Sequence, residues 1–165
     1  MTVNMMDTLK RIGQFVSSIL VAFAAAGIGS LATIPNIPTW YAGLDKPPLL
    51  PPNEVFGPVW SVLYLMMGIA LFLVWIARKS PKQQPLRIYG SFLAQLALNA
   101  LWSLVFFALH LPWVSFVIII ALIGAIIWTM REFAPISKPA MWLLVPYLVW
   151  TCFATYLTVG VAVLN

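Results

Sequence analysis

The spacing of its charges constrains this chain more than any other feature. No Asp, Glu, Lys or Arg occurs in residues 12–44, 55–77, 88–130 or 139–165, and His110 is the one imidazole. A bilayer core is ~30 Å thick and takes about 20 apolar residues per helix. As one helix the 88–130 run would extend for about 64 Å at ~1.5 Å per residue. It must fold back, and "HLPW" at 110–113 supplies a polar residue and a proline for the turn. Five spans follow, at 12–34, 56–77, 88–109, 113–130 and 140–163, with a long loop at 35–55.

Only 8% of the 165 residues are charged, against about 25% in soluble domains, and nothing is left over for a soluble domain. The expected fold class is therefore an all-α integral membrane protein, a compact bundle of five transmembrane helices forming one domain over 1–165. Short connectors are expected to make sequential helices antiparallel neighbours. The N-terminal stretch has the basic start of a signal peptide, but its apolar run of about 23 residues exceeds the ~7–15 of a signal core, so it reads as a retained first helix. Lys10, Arg11, Arg78, Lys79, Lys82, Arg87, Arg131 and Lys138 fall on one side of this topology and Lys46 alone on the other. That bias places the N-terminus and the basic loops in the cytoplasm and the 35–55 loop outside, and explains the net charge of +5 without nucleic acid.

Function classes fall away in turn. Ionisable groups in mid-membrane mark proton relays and ion paths, and every Asp, Glu, Lys and Arg here sits in a connector or at a helix end. One His and one Cys, His110 and Cys152, do not make a metal ligand set, and no nucleophile–base pair is visible. What remains is aromatic and amide chemistry at helical spacing. "QLALNALWSLVFF" places Gln95, Asn99, Trp102 and Phe106 on one helix face; Trp60 shares a face with Tyr64; Pro146, Tyr147, Trp150, Ala154 and Leu157 form a third stripe. Carboxamides in mid-span avoid lipid because their donors and acceptors need partners. Asn99 serves either as glue between helices or as a polar fixer in an apolar pocket. Trp40, Trp113, Trp128, Trp142 and Trp75 lie near span ends and read as interfacial anchors; Trp102 and Trp150 lie too deep for that. A pocket of such residues suits a flat, hydrophobic ligand.

The stretch "WYAGLDKPPLLPP" gives that pocket a lid. Proline fixes φ and favours extended or turned backbone, so a loop carrying Pro47, Pro48, Pro51 and Pro52 is stiff where a glycine-rich one would flap. Small residues at Ala22, Ala26 and Ser30, and at Gly90 and Ala94, permit close helix approach. In the bundle that means internal packing; for Gly90 and Ala94 a homodimer face is the other reading.

Three segments, "WYAGLDKPPLLPP…VFGPVWSVLY", "QLALNALWSLVFF" and "VPYLVWTCFATYL", resemble in order the translocator protein family, the tryptophan-rich sensory proteins of bacteria and the peripheral benzodiazepine receptor of animals. The resemblance covers about residues 12–165. It implies five transmembrane helices, often a homodimer, and a receptor or sensor whose pocket beneath the first loop binds tetrapyrroles such as protoporphyrin IX, haem or a bilin, with no obligatory cofactor. Light-dependent porphyrin breakdown and transport of porphyrins or sterols are the other activities it implies. By position it makes Trp40, Tyr41, Pro51, Trp60, Asn99, Trp102, Trp150 and Ala154 ligand-binding residues, joined by Tyr64 and Tyr147 from the stripes above. Trp60 and Trp150 are its candidates for any porphyrin chemistry, and Lys46 is a lid contact for propionates. Leu49 stands where the family usually has Trp, and the C-terminal segment lacks the basic residue of the animal cholesterol motif.

Overall fold

In lipid a spanning segment must satisfy its own backbone polar groups, and each long apolar run does so as helix. The computed structural model describes residues 5–77 and 85–165; Arg78, Lys79 and Lys82, counted in the charge bias, lie outside the described residues. Helix α1 is Met5–Asn36, α2 Asn53–Ala77, α3 Pro85–Ser103 continued by a wider π-helical turn at Leu104–Ala108, α4 Pro112–Phe133, α5 Lys138–Leu143 and α6 Val145–Leu164. Counting α5 and α6 together, five helical spans are long and apolar enough to cross a bilayer. The exposed Leu20, Ile28, Leu31, Val62, Leu93, Val117 and Val149 give them a lipid-facing exterior.

Prolines and caps set several of the ends. Pro112 opens α4 where its missing N–H is no loss. Ser137 caps α5, its hydroxyl accepting from the Ala140 N–H at 3.3 Å. The fifth span, expected to be continuous, is broken at Leu144. Pro146 has no N–H for the Trp142 carbonyl one turn earlier, and the Leu144 N–H donates to Met141 and Trp142 instead.

The helices close a ring in the order α1, α2, α5–α6, α4, α3 and back to α1. Consecutive helices are thus neighbours except α2 and α3, whose extensive contacts lie elsewhere, which corrects the expectation from connector length. Close crossings fall where side chains are small. A Cβ on Gly68 of α2 would lie 2.6 Å from Ile19 Cδ1 and 3.0 Å from its Cα on α1, beside the fully buried Ser18 and Ala22. Gly29 of α1 faces Ser103 of α3 at 3.2 Å in the same sense. Among the described residues nothing lies within 4 Å of where a Cβ on Gly90 would stand.

The loop between α1 and α2 is pinned at both its ends. Trp40 stacks on His110 at 4.2 Å, and His110 Nε2 lies 3.2 Å from Asn36 Oδ1. Farther along, Asn165 brackets Asp45: its Oδ1 accepts from the Asp45 N–H and its Nδ2 donates to the Asp45 carbonyl, both at 3.0 Å. Tyr156 donates its hydroxyl to the Pro48 carbonyl at 2.8 Å. Pro47 is buried against Gly160, where a Cβ would meet its ring at 2.6 Å. Leu49 turns the chain at φ 66° with its side chain exposed, a left-handed conformation that costs a β-carbon-bearing residue about 1–2 kcal/mol.

Candidate functional site

Beneath this loop lies a cavity of about 390 Å³, walled by α1, α2, α3 and α6, within the ~300–1,000 Å³ usual for small-molecule sites. Its floor is an aromatic cluster. Trp60 lies 5.7 Å from Tyr64 and 6.3 Å from Trp102 between ring centres, tilted by 34° and 33°. Trp102 continues to Phe106 at 5.9 Å. Trp150 completes the wall from α6 with Phe56 against it at 5.8 Å. The π-helical turn after Ser103 matters here, because Phe106 and Phe107 both line the cavity. Such turns recur at functional sites, where they re-aim side chains.

A polar network ties the floor together. Asn99 accepts from the Tyr64 hydroxyl at 2.6 Å and donates to the Tyr147 oxygen at 2.9 Å, linking α2, α3 and α6. Both readings of Asn99 therefore meet in one residue: it joins helices and lines the cavity. The Trp102 indole donates to Thr158 at 3.3 Å. The Trp150 indole nitrogen is buried with no partner among the described residues, while the ring lines the cavity. Gln95, one turn before Asn99, is buried with both amide atoms unpartnered and lies outside the cavity lining. Burial pushes the Tyr41 phenol above its ordinary range, so it remains neutral in the roof.

Of the residues expected to line the site, Tyr41, Trp60, Tyr64, Asn99, Trp102, Trp150 and Ala154 do so. Four stand back. Tyr147 is fully buried behind the wall, its ring edge-on to Trp60 at 6.2 Å. Trp40 is spent on His110 and Phe106. Pro51 is partly exposed in the loop and not part of the lining. Lys46 turns its ammonium to the Ala42 and Leu44 carbonyls at 3.2 and 3.0 Å and over the Tyr41 ring at 5.2 Å. It braces the loop rather than the cavity.

Helix α1 supplies a wall that the aromatic stripes did not announce, with Phe23, Ala26, Gly29, Ser30, Thr33 and Ile34. Its small residues were legible, but as packing. The start of α2 adds Asn53, Glu54, Gly57 and Ser61. Ser30, Ile34, Gly57 and Ser61 are also exposed, so the cavity opens sideways between α1 and α2, above their tight crossing at Gly68.

A family model described as the TspO/MBR family matches residues 18–164. The chain belongs to that family. It is 41% identical to the tryptophan-rich protein TspO of Archaeoglobus fulgidus over 152 residues, covering 92% of this chain and 97% of that one. The corresponding protein of Chlorobaculum tepidum is 39% identical over 86% of this chain and 89% of its own. The translocator protein of Homo sapiens is 40% identical over 72% of this chain and 70% of its own. As a TspO/MBR protein with five spanning helices, the chain is an integral, multi-pass membrane protein. Among the described residues no His, Cys, Asp and Glu cluster could hold a metal ion, and Cys152 is free and exposed.

Proposed function

We propose that this protein is a membrane receptor that binds flat, hydrophobic ligands of the tetrapyrrole class beneath its proline-stiffened loop. One observation carries the reading: Trp60, Trp102 and Trp150, from three helices, converge on a single roofed cavity. Indole faces recognise planar rings by offset stacking and large apolar contact. Membership of a family whose members carry the names tryptophan-rich protein and translocator protein supports a sensory or translocating role.

Titration of protoporphyrin IX against tryptophan fluorescence tests the placement. Saturable quenching is expected, and most of it should vanish in the Trp60→Phe/Trp150→Phe double variant. Equal quenching in that variant removes the ligand from this cavity. The working form in this proposal is a homodimer through the α3 face bearing Gly90 and Ala94. Gly90 has no described neighbour within 4 Å of its Cβ position, and in this proposal Gly90→Leu should shift the protein to monomer in light scattering; an unchanged mass rejects that face.

A further inference from the structure

The cavity rim carries a single charged side chain, and it is acidic. Only three charged residues occur at the loop end of the bundle, Asp45, Lys46 and Glu54, and Glu54 alone of them lines the cavity. Lys46 is engaged by two loop carbonyls and the Tyr41 ring, and Glu54 has no ion-pair partner among the described residues. Two neutral hydroxyls of the lining add acceptors beside it. Thr33 gives its hydroxyl proton to the Gly29 carbonyl at 2.9 Å, and Ser61 gives its own to Gly57 at 2.9 Å. Each is left with oxygen lone pairs for a ligand. Pro58, four residues beyond Glu54, has no N–H to satisfy the Glu54 carbonyl. The lining thus holds these acceptors beside the neutral side chains of Ser30, Tyr41 and Asn53, with one negative charge and no cation among the described residues.

From this we infer that Glu54 sets the charge specificity of the cavity: it favours ligands whose polar edge is neutral, cationic or rich in hydrogen-bond donors over ligands bearing free carboxylates. The inference rests on the cavity being the ligand site, and narrows the ligand class within it. A carboxylate brought to the rim meets Glu54 with no counter-charge beside it. Across a partly hydrated opening such repulsion is modest and salt-sensitive. A donor or ammonium at the same place is attracted by a comparable amount.

The test uses the full chain in lipid nanodiscs, with protoporphyrin IX as the free acid and as its dimethyl ester, probes that differ only in the two carboxylates. The ester should bind the native protein more tightly at low salt. In Glu54→Gln the ester-to-acid affinity ratio should fall by about two- to fivefold, the effect of one exposed charge, and in Glu54→Lys it should fall further. Raising the salt should shrink the ratio in the native protein and leave it nearly flat in Glu54→Gln. A ratio unchanged across the three proteins, with both probes binding, overturns the role of Glu54 and leaves the receptor reading intact. Failure of both probes to bind the native protein overturns the receptor reading itself and the inference with it.

Discussion

Asn99 concentrates more of the site's order than any other single residue. Its amide joins the hydroxyl of Tyr64 in the cavity wall to that of Tyr147 behind it, accepting from Tyr64 and donating to Tyr147. Hydrogen bonds between helices in lipid contribute about 0.6–2 kcal/mol each, and removing the shared partner strands two phenols at once. Asn99→Leu should therefore destabilise the bundle by about 1–3 kcal/mol, measured as a shift in denaturant unfolding. A Tyr64→Phe/Tyr147→Phe background, in which both partners are already gone, should recover part of that loss; an undiminished loss there denies the network its role. The importance of Asn99 was visible in the sequence because an amide in mid-span must face inward. The role of Glu54 was not, since a charge next to a proline cluster looks like any solvated loop end until its neighbours are known.

Among the elements, the first loop joins sequence to site most directly. Its stiffness was legible in its prolines, and its seating was not, because Gly160 and Asn165 lie more than a hundred positions away and no local pattern announces them. Gly160 sits where any side chain would strike the Pro47 ring at 2.6 Å, and a proline ring cannot swing aside as a flexible chain end would. Gly160→Val should lift the loop and speed hydrogen exchange of residues 41–46, with the α4 amides unchanged as the internal reference. Exchange indistinguishable from the native protein would show that the seat is not needed. The helices tell a matching story. The stripes of α2, α3 and α6 were readable because bulky aromatics at i, i+4 and i+7 can hardly all face lipid. The contribution of α1 was hidden because Ala26 and Ser30 line the cavity while Gly29 beside them packs on Ser103, and small residues carry the same signature whether they admit a helix or a ligand. The break at Leu144 followed from Pro146, yet its place depended on which amide would rescue the Trp142 carbonyl.

For the molecule as a whole, the charge bias predicts an orientation. With the basic ends of α1, α3 and α4 in the cytoplasm, the loop carrying the exposed Leu49 faces outward. A Leu49→Cys substitution in a Cys152→Ser background should react with a membrane-impermeant maleimide in intact cells. Labelling that appears only after lysis reverses the topology. The five spans themselves could be read with little more than a count of charge-free residues. Their arrangement could not: connector length suggested a simple antiparallel series, whereas α2 packs closely on α1 and α5 and meets its sequence neighbour α3 through side chains such as Trp60 and Trp102.

That order around the ring has a consequence for how the protein is made. The first two helices can pair as a hairpin soon after they leave the ribosome, and the third then packs against α1. The circle stays open until the last span arrives to bridge α2 and α4. A nascent chain halted after its fourth span would lack the wall that Trp150, Ala154 and Thr158 supply, so the chamber is completed only when the last span is in place.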